Sequence, residues 1–285
     1  MLHSVLSGLG LLLVGCSTHL NRPSTPAPAP IQTDFDVTRD RVFTPQDWPQ
    51  ALKADTYIPR GDGPWPAVLL IHGGGWESGD RDQVASIAKR LARRGFVVVN
   101  TTYRLSPGAR FPAALQDVQQ ALAWMQAQAT DLHLKPDRIG VFGYSAGAHL
   151  AALLGTLSPG DALAGPGPRV AAVVAGGVPS DLTKFKGGKL VPQFLGTNWK
   201  TDPEAYRRAS PVTYISRDDP PFFIYHGTLD KLVPPDHAQD LHDALLASGV
   251  RSELFWLRGL GHIAAFLLDG AAIDSAVEFL DRELR

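Results

Sequence analysis

A serine flanked by glycines is the strongest chemical signal in the sequence. Residues 143–147 read Gly-Tyr-Ser-Ala-Gly, after an apolar run that ends at Phe142 and before a stretch rich in alanine and leucine. At a sharp strand-to-helix turn, flanking glycines avoid clashes, and the hydroxyl is presented to a neighbouring base. The helix start also directs free N–H groups at developing negative charge. We therefore predict that Ser145 is a nucleophile.

A glycine cluster after an earlier apolar run supplies candidate hydrogen-bond donors. Residues 72–76 read His-Gly-Gly-Gly-Trp. They lack the Lys-Ser/Thr pair that follows the glycines of a phosphate-binding loop. A backbone donor aimed at the oxyanion of an acyl-transfer intermediate is worth about 10²–10³ in rate. We predict an oxyanion hole formed by the N–H groups of Gly74, Gly75 and Ala146, with His72 bracing the loop.

A serine hydroxyl needs a base to activate it, and the base needs an acid that orients it. Asp230 and His262 each follow an apolar run in the C-terminal third of the chain. Both are therefore expected at the carboxyl ends of parallel strands, the edge at which open α/β sheets hold their sites. The chain order serine, aspartate, histidine is one that such triads adopt. We predict His262 as the general base and Asp230 as its orienting acid.

Other histidines fit the role of the base less well. His149 lies one helical turn past Ser145, so its side chain points along the helix, and we expect it in the core. His237 and His242 fall in a polar helical stretch, and we expect both on the surface.

The elements that must position these residues alternate along the chain. Short apolar runs between helical stretches are typical of a mostly parallel sheet covered by helices on both faces. Predicted strands cover residues 52–58, 67–71, 96–99, 138–142, 171–175, 222–225 and 253–257. Predicted helices cover residues 82–94, 112–130, 146–157, 236–248 and 269–284. The sequence therefore predicts an α/β fold with one catalytic domain over residues 34–285.

Residues 178–220 interrupt this alternation with prolines, glycines and scattered aromatic residues. We predict a small cap-like insertion in which Phe185, Phe194 and Trp199 line or cover the site, because ligand pockets use apolar side chains. The segment is short for a full lipase lid, which favours short acyl chains over long triglycerides.

The N-terminal residues resemble a bacterial lipoprotein signal. An apolar run from Val5 to Val14, too short to span a bilayer, leads to Cys16, the single cysteine of the chain. The tetrapeptide 13–16 resembles a lipobox, which implies a signal peptide over residues 1–15 and a lipid on Cys16. Two alternatives are an ordinary secretory signal with an unmodified Cys16 and a cytosolic protein with no signal at all. One departure from the lipoprotein pattern is that His3, and no Lys or Arg, precedes the apolar run.

The segment that follows is rich in proline. Four prolines between Pro23 and Pro30 predict an extended polyproline II spacer. We expect residues 16–33 to tether the domain to a bacterial membrane outside the cytoplasm. Ser17 resembles the sorting signal of outer-membrane lipoproteins. With one cysteine, no intramolecular disulfide can form.

Overall composition excludes few functions but narrows the partners. The formal net charge is -1, with 44% hydrophobic and 19% charged residues. A near-neutral balance gives no electrostatic reason to expect nucleic acid as a partner.

From about residue 52 to residue 284 the chain resembles the α/β-hydrolase superfamily, particularly small bacterial esterases of the hormone-sensitive-lipase and feruloyl-esterase-like groups. The serine pentapeptide, the glycine cluster, Asp230 and His262 carry the resemblance. Tyr103-Arg104 and the stretch from Phe111 to Asp117 support it. It implies a carboxylesterase that forms an acyl-enzyme on a small ester and needs no metal or organic cofactor.

Three alternatives remain open at this point. Trp76 after the glycine cluster favours a resemblance to the feruloyl-esterase-like and kynurenine-formamidase-like members of the superfamily. The kynurenine-formamidase-like members are amidases. A peptidase of prolyl-oligopeptidase type would use the same triad, but such enzymes usually carry a large extra domain. A non-catalytic lipoprotein that binds ligands would need no activated serine.

Overall fold

The computed structural model describes residues 17–167 and 169–285, so the predicted signal peptide and Cys16 lie outside the described residues. Within them a nine-stranded sheet has the order β1-β9-β8-β7-β6-β4-β5-β3-β2. The strands are β1 Ser17–Leu20, β2 Phe35–Val42, β3 Lys53–Pro59, β4 Trp65–Ile71, β5 Val97–Thr101, β6 Leu134–Tyr144, β7 Ala172–Gly176, β8 Phe222–Gly227 and β9 Ser252–Leu257. The α-helices are α1 Ala85–Arg93, α2 Ala113–Ala127, α3 Ala146–Thr156, α4 Leu190–Leu195, α5 Pro203–Arg208, α6 Asp236–Ala247, α7 His262–Leu267 and α8 Gly270–Leu284.

The centre of the sheet is parallel, as the sequence predicts. Strands β4 to β9 pair with one another in parallel, while β1, β2 and β3 pair antiparallel at the two edges. The carboxyl ends of the six parallel strands form one edge of the molecule, here called the active-site rim. The fold is that of an α/β-hydrolase.

Helices cover both faces of the sheet, which explains why the central strands are apolar on both sides. In β4, Leu69 and Ile71 pack into the core under α2, α3 and α6, whereas Val68 and Leu70 pack into the core under α1 and α8. All four side chains are fully buried. None of the described helices combines the length and apolar character needed to cross a bilayer.

The predicted insertion lies between β7 and β8. It contains α4 and α5 with short 3₁₀ turns at Leu182–Lys184 and Pro211–Tyr214. Its base is fixed to α3, because the ring N–H of His149 donates to the carbonyl oxygen of Ala209 at 2.7 Å. The insertion is thus held against the helix that follows Ser145.

The N-terminal segment differs from the expected tether over residues 16–33. Residues 17–20 form the edge strand β1, in which Ser17 pairs with Leu257 and Leu20 with Leu254. The side chain of His19 hydrogen-bonds Glu253 at 2.8 Å. Within the described residues, backbone pairing therefore begins at Ser17, and residues 17–20 belong to the sheet and not to a free spacer.

The proline-rich residues that follow cross the molecule at the rim opposite the active site. Asn21 contacts His242, Arg22 pairs with Glu278, and the Thr33 N–H donates to the Arg93 carbonyl oxygen at 2.9 Å. Crossing eight strand spacings of about 4.8 Å needs about 38 Å. About 14 residues at about 3.1 Å each span that distance. The proline-rich segment therefore connects the two edges of the sheet.

Candidate active site

Ser145 occupies the sharp turn between β6 and α3. Its φ is 55° and its ψ is -120°, a conformation that non-glycine residues rarely adopt. A Cβ at Gly143 would lie 2.2 Å from the Gly147 carbonyl oxygen, and a Cβ at Gly147 would lie 2.2 Å from the Ile71 carbonyl oxygen. Only glycine fits at either position, because the strand, the turn and the neighbouring strand β4 approach so closely.

The structure brings the three predicted triad residues into hydrogen-bonding contact. His262 Nε2 lies 2.8 Å from Ser145 Oγ, and His262 Nδ1 lies 2.6 Å from Asp230 Oδ2. An ionised carboxylate only accepts hydrogen bonds, so Nδ1 carries the proton and donates it to Asp230. Nε2 is then free to accept the hydroxyl proton of Ser145. This arrangement allows the imidazole to act as a base toward the serine.

Four hydrogen-bond donors surround the carboxylate of Asp230. Its Oδ1 accepts from the backbone N–H groups of Leu232 and Val233, both at 2.9 Å. Its Oδ2 accepts from His262 and lies 3.3 Å from His226 Nε2. Burial raises the pKa of Asp230, but the bonds from the two histidines and from the Val233 N–H outweigh burial and hold the pKa well below its ordinary value. Asp230 is therefore ionised throughout the neutral range.

His226 is a site residue that the sequence analysis missed. His226 is buried near the end of β8, four residues before Asp230. Its Nε2 also donates to the Val233 carbonyl oxygen at 2.8 Å. The imidazole thereby links both ends of the turn that carries Asp230. Its position at the end of a strand that leads to the acid was the available signal.

Tyr144 is a second residue that the sequence analysis missed. It directly precedes Ser145, and its hydroxyl donates to the carbonyl oxygen of His262 at 2.6 Å. Its ring lies 4.8 Å from that of Phe266. Tyr144 thus ties the first residue of α7, which carries the base, to the turn that carries the nucleophile.

The predicted oxyanion donors lie on two elements beside Ser145. Gly74 and Gly75 line the same cavity as the serine, and Ala146 is the first residue of α3. Among the hydrogen bonds of residues 17–167 and 169–285, none uses the N–H group of Gly74, Gly75 or Ala146. These donors are therefore free to bind an anion in the cavity.

His72 braces the glycine loop from behind. It is buried, its Nδ1–H donates to the Gly73 carbonyl oxygen at 2.7 Å, and burial lowers its pKa. Its ring stacks on Tyr103 with a centroid distance of 4.4 Å. The Tyr103 hydroxyl donates to the His72 carbonyl oxygen at 3.2 Å. His72 thus lies apart from the base position, in the supporting role that the sequence predicts.

A buried ion pair holds the chain after Tyr103. Arg104 Nε lies 2.9 Å from the carboxylate of Asp117 on α2, and the Arg104 backbone N–H donates to the same carboxylate at 2.8 Å. Trp48 Nε1 donates to it as well, at 2.8 Å. These contacts explain why Tyr103-Arg104 and Asp117 accompany the glycine loop in the sequence.

A cavity of about 790 Å³ opens beside the triad. Its walls are mainly apolar: Trp76, Phe185, Leu190, Leu232, Ile263 and Phe266 line it. Phe185 lines the site as predicted. Phe194 is instead buried beneath Trp76, with ring centroids 4.5 Å apart, and Trp199 lines a neighbouring depression.

The three histidines that the sequence analysis set aside as bases, His149, His237 and His242, are all buried. His149 lies in the core, as predicted. The expected surface location of His237 and His242 is wrong: His237 is covered by the ring of Phe185, and His242 hydrogen-bonds Ser252 at 2.8 Å. In the part of the chain that the structure describes, no group of three or more His, Cys, Asp or Glu side chains is arranged to hold a metal ion.

Comparison with known families fits this geometry. A family model described as BD-FAE matches residues 54–245, more than half of the 285-residue chain. The chain belongs to the BD-FAE family. The match includes the glycine loop, Ser145 and Asp230, and it ends before His262.

Two curated relatives from Mycobacterium tuberculosis are named as ester hydrolases. The probable carboxylic ester hydrolase LipM is 36% identical over 193 residues, which are 63% of this chain and 44% of LipM. The esterase LipC is 30% identical over 257 residues, which are 82% of this chain and 62% of LipC. The chain thus spans about half the length of the curated relatives it matches.

A solved esterase has the same fold along most of its length. The thermophilic esterase from the Planctomycetes species Thermogutta terrifontis superposes with a TM-score of 0.71 at 25% identity. The superposition covers 87% of this chain and 91% of that protein.

Proposed function

We propose that the protein is a serine carboxylic-ester hydrolase that uses Ser145, His262 and Asp230. The single observation that carries this proposal is the hydrogen bond of 2.8 Å between Ser145 Oγ and His262 Nε2, with Asp230 on the other ring nitrogen. The names of two curated relatives, a probable carboxylic ester hydrolase and an esterase, support it.

In the first half-reaction, Ser145 Oγ attacks the ester carbonyl carbon while His262 Nε2 takes the hydroxyl proton. The carbonyl oxygen becomes an oxyanion, which the N–H groups of Gly74, Gly75 and Ala146 stabilise. Asp230 stabilises the imidazolium that forms and keeps its proton on the correct nitrogen. Collapse of the intermediate transfers the proton from His262 to the leaving alcohol and leaves an acyl-serine.

In the second half-reaction, a water molecule takes the place of the alcohol. His262 accepts a proton from this water as the oxygen attacks the acyl carbon, and the same donors hold the second oxyanion. His262 then returns the proton to Ser145 Oγ, which releases the carboxylic acid. Over both half-reactions, one ester and one water molecule give one alcohol and one carboxylic acid.

The shape of the cavity favours short acyl groups or aryl esters. On one side Trp76 is held rigidly, stacked on Phe194 and in edge contact with His149, so this wall leaves little room for movement. Leu232 and Ile263 also line the cavity and are exposed, so we take the part of the cavity beside them as its open side. We assign the short acyl group to the closed side and a larger apolar alcohol to the open side.

Steady-state kinetics on p-nitrophenyl esters from C2 to C16 test this function. We expect the highest kcat/KM for short acyl chains, and a preference for C10 or longer would contradict the acyl assignment. Ser145→Ala should lower turnover by about 10⁶, because the triad acts as a unit. Ser248→Ala at the end of α6 is the matched control and should retain wild-type turnover.

Amide substrates separate this proposal from its alternatives. An N-formyl amide tests for a kynurenine-formamidase-like amidase, and a dipeptide amide tests for a peptidase. We expect kcat/KM for either to fall well below that for the acetate ester. Faster cleavage of an amide than of every ester in the panel would replace the esterase assignment.

We further propose that Cys16 carries a lipid and that the protein is anchored to a bacterial membrane outside the cytoplasm. The support is the lipobox-like tetrapeptide 13–16 after an apolar run. Mass spectrometry of the N-terminal peptide of the membrane-extracted protein tests it. A diacylglyceryl adduct on Cys16 is expected, and an unmodified thiol there, or an intact Met1, would contradict it.

A further inference from the structure

The first described strand fixes where the chain enters the domain. Strand β1 runs antiparallel to β9, and Ser17 pairs with Leu257, the last residue of β9. The side chain of Arg258 extends the contact, since its Nε donates to Thr18 Oγ1 at 2.8 Å. Because β9 is parallel to β8, its end lies on the active-site rim. A lipid on Cys16 would therefore be attached one residue from that rim.

Exposed apolar side chains cluster on the same rim. We call Leu229, Leu232, Ile263, Leu267 and Leu268 the rim patch, and they are 61%, 51%, 64%, 70% and 65% exposed. They make up most of the large hydrophobic side chains that are exposed in the described residues, and they come from the two segments that carry Asp230 and His262. Exposed leucine is ordinary when single, but a cluster beside a cavity indicates an interaction surface.

Hydrogen bonds join the chain entry to the rim patch. The Thr228 N–H donates to the Leu257 carbonyl oxygen at 3.1 Å, and the Leu229 N–H donates to the Leu260 carbonyl oxygen at 3.0 Å. Ser17 pairs with Leu257, and Leu257 in turn bonds Thr228, the residue before Leu229. Since Leu232, Ile263 and Leu267 line the cavity mouth, the entry, the patch and the active site are contiguous.

The charge around the rim patch favours an anionic partner. Within residues 228–232 and 257–268, the exposed charged side chains are Lys231 and Arg258, both basic, while the acidic Asp230 is buried. Asp236 and Asp240, on the neighbouring helix α6, share the single ammonium group of Lys184, so one negative charge remains there against the two basic side chains of the patch segments. A bilayer that contains anionic lipid offers both an apolar interior and a negative surface.

We propose that the rim patch docks on the lipid surface that anchors Cys16, so that the active-site cavity opens onto the bilayer. The inference rests on the proposed lipidation, and it extends the substrate class to apolar esters that partition into the membrane. An acyl anchor holds a protein more firmly when a second signal assists it. The rim patch supplies that signal, and the pairing of β1 with β9 from Ser17 onward keeps the chain entry at the same rim.

Site-specific fluorescence in vesicles tests the docking. Full-length protein with Leu229→Cys is labelled with an environment-sensitive dye and reconstituted into phosphatidylethanolamine–phosphatidylglycerol vesicles that contain a spin-labelled quencher lipid. Val37→Cys is the matched control, because Val37 is also exposed but lies on β2, at the far edge of the sheet. We expect a blue shift and strong quenching at position 229 and neither at position 37. Equal quenching at both positions would overturn the proposal.

The same measurement separates other occupants of the patch. A blue shift at position 229 without quenching by the spin-labelled lipid would place a second copy of the chain there and would also overturn the proposal. Mass spectrometry of Cys16 on the same sample reports the anchor independently, and neither readout requires catalysis. Failure of docking is thus distinguishable from failure of the esterase or lipidation proposals.

Activity gives a second readout. Leu229→Ser together with Leu268→Ser removes two patch side chains that do not line the cavity. We expect hydrolysis of a vesicle-dissolved ester to fall about ten-fold relative to hydrolysis of p-nitrophenyl acetate, since each buried leucine contributes to membrane binding. Val37→Ser should leave that ratio unchanged. An unchanged ratio in the double variant would contradict docking.

Discussion

Asp230 shows how individual residues determine the chemistry of this site. Its four donors leave the carboxylate ionised and fixed, so that His262 keeps its proton on Nδ1. An amide at this position would offer an N–H group to His262 and favour the wrong tautomer. We expect Asp230→Asn to lower kcat for p-nitrophenyl acetate by about 10⁴ with little change in KM. A loss smaller than ten-fold would contradict the role of Asp230.

His226 makes a separate prediction at the residue scale. It is a positioning residue, because it contacts Asp230 and Val233 and so acts on the base through Asp230. We expect His226→Leu to lower kcat by about ten-fold, the effect of losing about one hydrogen bond of 1.4 kcal/mol. His226→Gln, which keeps an N–H donor, should restore most of the activity.

The matched control for His226 is His242→Leu, which removes an equally buried histidine that bonds Ser252 away from the triad. Its kcat should stay within about two-fold of wild type, even though the loss of a buried hydrogen bond lowers stability. If the two leucine variants lose the same activity, the effect is general destabilisation and His226 has no positioning role.

At the residue scale, the sequence indicated the triad but not its supporting residues. Chain order and placement after apolar runs were enough for Ser145, Asp230 and His262. The wrong surface prediction for His237 and His242 was avoidable. Both lie on the buried face of α6, together with Ala238 and Leu241. A stripe at helical spacing marks a buried face even when histidines occupy it.

At the scale of elements, the Arg104–Asp117 ion pair joins the loop after β5 to α2. The Asp117 side chain is fully buried, so Asp117→Ala leaves an uncompensated arginine and removes the acceptor of Trp48. We expect a loss of about 3–5 kcal/mol in the free energy of unfolding, measured by urea denaturation. Activity per folded molecule should also fall, because Tyr103 and the glycine loop lose their support.

The exposed pair between Arg60 and Asp36 provides the control for this prediction. Both side chains are largely in solvent, and an ion pair that water and salt screen in this way contributes little to stability. Asp36→Ala should therefore leave the urea midpoint nearly unchanged. Equal losses in the two variants would show that the Arg104–Asp117 pair has no special structural role.

The central elements were predictable, whereas the peripheral ones were not. Each of the strands β4 to β9 contains a continuous apolar run, because helices cover both faces of the sheet there. Strand β1 is a four-residue segment, half-exposed at an edge, and its partner β9 lies more than 200 residues away in the chain. Four residues are too few for alternating polarity to identify a strand. Helices α4, α5 and α7, of six residues each, give no clear helical period either.

At the scale of the whole molecule, buried histidines couple stability to pH. Burial lowers the pKa of His149 to about 4, despite its hydrogen bond to Ala209, and burial together with Lys184 lowers that of His237 to about 4. Between pH 6.5 and pH 4, these two histidines are therefore protonated in the unfolded chain and neutral in the folded chain. Stability is full above pH 6.5 and is lost as the pH falls through this window.

Asp269 acts in the opposite direction. Burial raises its pKa to about 6, so its contribution to stability falls as the pH rises through the window, which offsets part of the effect of the histidines. For His149 alone, lowering the pH from 7 to 5 should cost about 2 kcal/mol. We expect a lower urea midpoint at pH 5 than at pH 7, and a smaller difference in His149→Gln, which cannot titrate. The same difference in both proteins would contradict this assignment.

The most direct test of the central claim is covalent labelling of the full-length protein by a fluorophosphonate, followed by peptide mass spectrometry. The cavity contains two serines, Ser145 and Ser78, but only Ser145 lies within hydrogen-bonding distance of an imidazole. We expect stoichiometric phosphonylation of Ser145 that is abolished in His262→Ala. No labelling of the wild-type protein, or labelling of Ser78 in place of Ser145, would contradict it.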